Sequence, residues 1–146
     1  MPKKKPDGLN LASELARIFL RAAEPGLVSA YLFGSMADDR AHRESDIDVG
    51  VLLRRDIYPT ARERFEERLR LSARLGNELK NDAVDLVILN DAPPHLGRKI
   101  VTTGKRLFCS DEEADHAFVR DVQLRAADLE PFLRRARRVK LAAIAR

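Results

Sequence analysis

Hydrophobic positions recur along this chain with two different periods, which separate predicted helices from predicted strands. Apolar residues repeat at helical spacing at Leu11, Leu15, Ile18 and Phe19, whereas nearly continuous apolar runs such as 27–33 are typical of buried strands. The predicted elements are a helix ending near residue 22, strands at about 27–33, 46–53 and 83–89, helices at 59–80 and 95–103, a short edge strand at 106–109 and a long final helix.

This order of elements predicts an α/β (α+β) fold in which helices flank a small mixed sheet. The chain shows no internal repeat and no low-complexity segment, so we expect a single globular domain with a helical tail. The expected boundaries are a flexible N-terminus over 1–8, a core over 9–110 and a C-terminal helical tail over 111–146.

The predicted helix at 59–80 is the most highly charged part of the core. We expect its charged residues to form a solvent-exposed face, as in an amphipathic surface helix. Its inward positions are predicted to be Phe65, Leu69, Leu75 and Leu79.

The final helix has a predicted start and a possible break. Ser110, with Glu113 three residues later, matches a capping box, and Pro131 is a position where the helix can kink. Residues 120–146 carry eight Arg or Lys against three acidic residues. This basic tail favours protein contact or a solvated face over nucleic acid, because it lacks the interleaved aromatic side chains that stack on bases.

Composition narrows the class of protein. The chain has 146 residues, of which 45% are hydrophobic and 34% charged, and no apolar run approaches the length of a membrane helix. We see no secretion signal, and the single cysteine, Cys109, fits a reducing compartment. We therefore expect a cytoplasmic protein without a membrane partner.

Candidate chemistry lies where the first two predicted strands meet. Ten residues separate Gly34-Ser35 from Asp46-Ile47-Asp48. Residues two apart in a strand share a face, so the two carboxylates should lie side by side, and a divalent cation such as Mg²⁺ would remove their repulsion. Gly34 allows close approach of backbone to a ligand, and a helix beginning near Ser35 would attract phosphate. The pattern indicates metal-assisted nucleotide chemistry.

A third carboxylate, Asp85, stands among apolar residues in the predicted strand at 83–89. Placed beside the second strand, it would complete the candidate site. The alternative is that Asp85 has no part in a site and is an ordinary charged residue at the start of a strand.

These residues together resemble the signature of the DNA polymerase β-like nucleotidyltransferases, in which Gly-Ser precedes Asp-x-Asp and a third carboxylate follows on a later strand. The short chain and its continuation through 89–94 and 104–108 resemble the minimal nucleotidyltransferases. Many of those are encoded beside a HEPN-domain toxin and act as its antitoxin. The resemblance covers roughly residues 10–135.

The resemblance implies a polymerase β-like core and a role for each motif residue. Asp46, Asp48 and Asp85 would bind two Mg²⁺ ions, Asp85 would also assist the attacking hydroxyl, and Gly34 with Ser35 would hold the triphosphate of ATP. The implied reaction moves AMP from ATP onto a hydroxyl, such as that of a tyrosine, of a cognate HEPN toxin. The implied assembly is a hetero-oligomer with that toxin.

One departure from the family pattern leaves alternatives open. Many relatives read Gly-Ser-x-Ala-Arg-Gly, whereas this chain has Ala37-Asp38-Asp39, so a cation is absent and an acid occupies the glycine position. One alternative is an antitoxin that neutralises its toxin by binding alone. Another is a small-molecule nucleotidyltransferase that acts on an aminoglycoside-like alcohol.

Overall fold

The computed structural model describes residues 8–34 and 47–144. Predictions for the N-terminal seven residues and for 35–46 lie outside the described residues. The helices are α1 (Gly8–Ala22), α2 (Ala61–Leu79), α3 (Pro94–Thr103) and α4 (Glu112–Ile144). The strands are β1 (Leu27–Phe33), β2 (Ile47–Leu53), β3 (Val84–Ile88) and β4 (Lys105–Cys109), and a 3₁₀ turn spans Leu89–Asp91.

Within the described residues, the strands form one mixed sheet in the order β3-β2-β1-β4. Strand β1 pairs antiparallel with both β2 and β4, whereas β2 pairs parallel with β3. The predicted fold class, a small mixed sheet flanked by helices, is confirmed, and the strand predicted at 106–109 lies at an edge. No helix in the described part of the chain has both the length and the apolar character needed to cross a bilayer.

Successive side chains of each strand point to opposite faces of the sheet, and both faces carry apolar side chains. One face packs against α1 and α2 and contains the larger core, with Leu15, Phe19, Leu32, Val49, Leu75 and Leu86 among its buried members. The other face packs against α3 and the first turns of α4, around Tyr31, Leu52, Leu89 and Ile100. Side chains of β2 alternate between these cores, as the pleat of a strand requires.

The predicted inward face of α2 is partly wrong. Phe65 and Leu69 are 51% and 55% exposed, whereas Leu71 and Leu75 are buried, together with the charged residues Arg64 and Glu67. The prediction is confirmed at Leu75 and at Leu79, which packs against the larger core, and it is wrong in the first half of the helix, where charged residues are buried. Burial of a charge requires a partner, and each of these two has one.

Arg64 has one partner that is distant in sequence, Asp91, and one that is near it, Tyr58. Its Nε and Nη2 donate to Asp91 at 2.9 and 2.8 Å, and its Nη1 donates to the carbonyl oxygen of Tyr58 at 3.0 Å. Glu67 accepts from Arg70, which also bridges to Glu24. These pairs join α2 to the 3₁₀ turn after β3 and to the segment after α1.

The start of α4 also differs from the predicted capping box. The Ser110 hydroxyl donates to the Leu27 carbonyl oxygen at 2.6 Å, so it is used to attach the end of β4 to β1. Asp111 caps the helix instead, because its carboxylate accepts from the Ala114 N–H at 3.0 Å. The helix then continues through Pro131.

A buried polar cluster anchors α4 to the sheet. The Tyr31 hydroxyl donates to both carboxylate oxygens of Asp115, at 2.8 and 2.9 Å. Arg106 on β4 donates to Asp115 at 3.2 Å and, through both of its terminal nitrogens, to the exposed Glu112. Burial, reinforced by the hydrogen bond to Asp115, raises the pKa of Tyr31 well above its usual value.

We expect Asp115→Ala to lower the free energy of unfolding by about 2–4 kcal/mol, because it leaves the buried Tyr31 hydroxyl without an acceptor. Glu112→Ala is the matched control, since Glu112 pairs with the same arginine but is largely exposed. It should cost less than about 1 kcal/mol. Denaturant titration of both variants measures the difference, and equal losses would contradict a buried anchor.

Candidate active site

Gly34 ends β1 with a backbone that favours glycine. Its φ is +77°, in the left-handed region that other L-residues rarely adopt. A Cβ added at this position would lie 2.5 Å from Oδ2 of Asp48. The missing side chain of Gly34 therefore leaves room for the Asp48 carboxylate directly against the end of β1.

Strand pairing aligns the two carboxylates that the structure describes. Asp48 is opposite Phe33 in the antiparallel pair with β1 and opposite Asp85 in the parallel pair with β3. Residues in register on neighbouring parallel strands share a face, so both aspartates lie on the face that α3 covers further along β2. The neighbouring residues Ile47 and Val49 point into the opposite core.

Arg68 on α2 reaches around the outer edge of β3 to this pair. Its Nε donates to the carbonyl oxygen of Leu86 at 2.7 Å, and its Nη2 lies 3.8 Å from Oδ1 of Asp85. Both side chains are about half exposed. From the sequence, Arg68 was one charge among many on α2, and no local signal distinguished it.

The structure thus brings together Gly34, Asp48 and Asp85 of the five predicted site residues. Ser35 and Asp46 lie outside the described residues. Among the residues that are described, no group of three or more His, Cys, Asp or Glu is placed to hold a metal. Two carboxylates on adjacent strands, with Asp46 two positions before Asp48 in sequence, form a donor set of the hard oxygen type that suits Mg²⁺.

A mixed sheet that aligns carboxylates on neighbouring strands, next to a glycine at a strand end, defines a candidate nucleotidyltransferase. Residues 9–113 match the family model "Polymerase beta, Nucleotidyltransferase". The chain therefore belongs to the polymerase β nucleotidyltransferase family, as its sequence motifs predicted.

Similar proteins include a protein adenylyltransferase. The chain is 34% identical over 105 residues to protein adenylyltransferase MntA of Shewanella oneidensis, an overlap of 72% of this chain and 70% of the relative.

Solved structures agree with this relationship. A crystal structure of a toxin–antitoxin with AMP-PNP contains a chain that is 28% identical, with a TM-score of 0.62, covering 92% of this chain and 98% of that one. The structure of a tri-AMPylated Shewanella oneidensis HEPN toxin in complex with an MNT antitoxin matches at 26% identity and a TM-score of 0.57, covering 93% and 98%.

Gly34→Ala should disturb the candidate site through backbone and side chain together. The positive φ costs an alanine roughly 1–2 kcal/mol, and the new methyl group must displace the Asp48 carboxylate. We expect denaturant titration to show a loss of unfolding free energy of about that size. Mn²⁺ should also bind more weakly in the presence of nucleotide.

Gly76→Ala is the control for a glycine replacement away from the site. Its Cβ would meet only the Asn81 carbonyl oxygen, at 3.3 Å, and it lies within α2, where alanine is favoured. If both variants bound Mn²⁺ as the wild type does, close contact between Gly34 and Asp48 would not matter for the site.

Proposed function

We propose that this protein transfers AMP from ATP to a hydroxyl group of a cognate HEPN-domain toxin and thereby acts as its antitoxin. The observation that carries the proposal is the direct register of Asp48 with Asp85, next to the side-chain-free Gly34. The 34% identity to a protein adenylyltransferase supports AMP as the transferred group. The similar structures of a toxin–antitoxin support a protein acceptor.

The proposed metal ligands are Asp46, Asp48 and Asp85. Their carboxylate oxygens would hold two Mg²⁺ ions, which, when bound, neutralise phosphate charge and stabilise the attacking and leaving oxygens of an in-line displacement. Gly34 and Ser35 would hold the phosphates through backbone N–H groups, and the lack of a side chain at Gly34 allows the nucleotide to approach the backbone.

The proposed transfer is a single displacement at the α-phosphorus of ATP. The acceptor hydroxyl oxygen forms a bond to that phosphorus, the bond from the α-phosphorus to the bridging oxygen breaks, and pyrophosphate leaves. The hydroxyl proton passes to the Asp85 carboxylate and then to solvent. Asp85 is suited to this step because its side chain is half exposed at the edge strand, where an acceptor can reach it.

The test is intact-mass spectrometry of the partner toxin after co-expression or incubation with ATP and Mg²⁺. We expect the toxin to gain one or more AMP units with the wild type. Asp48→Asn and Asp85→Asn should each slow the transfer by about 100-fold or more while the protein stays folded. Asp128→Asn, which removes an exposed acid on α4, is the matched control and should transfer normally.

The outcomes separate the candidate functions. Full activity in the Asp48 and Asp85 variants would exclude the proposed roles of the carboxylates. A tight complex without any mass change would favour neutralisation by binding, the alternative that Ala37-Asp38-Asp39 raises in place of the family's basic residue and glycine. Modification of an aminoglycoside-like alcohol in the absence of the toxin would favour the small-molecule enzyme.

A further inference from the structure

An open cleft runs along the outer edge of β3, between α2 and α3. Its volume is about 330 Å³. We call it the β3-edge cleft, and its apolar lining includes Phe65, Leu86, Val87, Ile88, Pro93 and Leu96. The cleft lies outside the candidate metal site but shares Arg68 with it.

Phe65 is the most prominent apolar side chain of this cleft. It projects from α2 and is 51% exposed, although the helical pattern predicted that it would face inward. A half-exposed aromatic ring beside other apolar side chains offers a surface that another molecule can cover. Leu69, one turn along the same helix, is similarly exposed at 55% but does not line the cleft.

Arg68 connects the cleft to the third carboxylate. It lines the cleft, donates to the Leu86 carbonyl oxygen at 2.7 Å and lies 3.8 Å from Asp85. One end of the cleft is therefore adjacent to the group that is proposed to take the acceptor proton.

The edge of β3 also offers backbone groups. Among the described residues, β3 pairs only with β2, so its other side is not part of the sheet. The Leu86 carbonyl oxygen already accepts a hydrogen bond from Arg68. The rest of the β3 edge lies along the cleft. Extended peptides bind such edges through main-chain hydrogen bonds and place alternate side chains in neighbouring pockets.

The order of groups across the sheet distinguishes the possible occupants. Gly34 at the end of β1 comes first, followed by Asp48 on β2, Asp85 on β3 and then the cleft. In an in-line displacement the incoming and leaving groups lie on opposite sides of the phosphorus. If the phosphates are held on the Gly34 side, the acceptor must enter from the β3 side.

We propose that the β3-edge cleft binds an extended segment of the acceptor protein. An apolar side chain of that segment packs against Phe65 and Leu96, and a neighbouring hydroxyl-bearing residue is thereby placed at Asp85. Arg68 lies at the junction between the cleft and the Asp85 carboxylate. This inference rests on the proposed AMP transfer and names the side from which its acceptor enters.

The experiment compares Phe65→Asp with Leu69→Asp, two equally exposed positions on one helix. Initial rates of AMP transfer are measured against toxin concentration, and ATP·Mg²⁺ binding is measured separately by calorimetry. We expect Phe65→Asp to raise KM for the toxin at least about tenfold, with kcat and ATP affinity within about twofold of wild type. Leu69→Asp should behave as the wild type does. Denaturant titration checks that both variants are folded.

Three results would overturn the inference. Equal KM values for the two variants would show that the cleft does not bind the acceptor. Weaker ATP binding in Phe65→Asp with an unchanged KM for the toxin would assign the cleft to the nucleotide base. Loss of kcat at saturating toxin, with KM unchanged, would indicate a disturbed site rather than a lost docking surface.

A direct readout separates this inference from the proposed function. A photo-crosslinking amino acid at position 65 should attach to the toxin segment that flanks the acceptor hydroxyl, whereas the same group at position 69 should not. Crosslinking at 65 without AMP transfer by the wild type would support the cleft as a docking surface but reject the transferase function. Transfer without crosslinking at 65 would support the function and reject the cleft.

Discussion

The register of strand β2 places its one charged residue outside both apolar cores, since every other residue of the strand is buried. Ile47, Val49 and Val51 enter the larger core, whereas Asp48 lies on the other face beside Gly34 and Asp85. A slip by one residue would turn the Asp48 carboxylate toward the larger apolar core and the valines toward the opposite face. Because an unpaired buried charge is very costly, the apolar core itself sets the position of the acidic site.

The two faces of the sheet contribute to this site in different ways. The face against α1 and α2 supplies most of the apolar burial, and the opposite face is closed by α3 and α4 only away from the carboxylates. Gly50 allows α3 to approach β2 closely, since a Cβ there would lie 3.1 Å from Ile100. The Tyr31–Asp115 hydrogen bonds attach α4 to the centre of the same face. Among the described residues, these contacts of α3 and α4 lie at Gly50 and Tyr31 rather than at Asp48, which belongs to the proposed site.

The strands, and the alignment of Asp48 with Asp85 beside Gly34, could be predicted from the sequence because their signals are local. Apolar runs located β1, β2 and β3, and the alternation within 46–53 separated Asp48 from its core neighbours. The orientation of α2 could not be predicted in this way, because the carboxylate that pairs with the buried Arg64 belongs to Asp91, which is distant in sequence. The position of Arg68 beside Asp85 likewise depends on how α2 packs across β3. Ser110 was misjudged for the same reason, since its partner is on β1.

Helix α4 contains 33 residues, and its last buried side chain is Ala126. Beyond it, the described residues 127–144 contribute no buried side chain, and Phe132, Val139 and Ile144 are each at least 66% exposed. Most helical stability in proteins comes from tertiary packing, so this segment is held mainly by local hydrogen bonds and by the Glu130–Arg134 ion pair. Amide hydrogen exchange should divide α4 into two parts. Amides near Val122 are protected by the stability of the whole domain, whereas those beyond Ala126 exchange through local fraying.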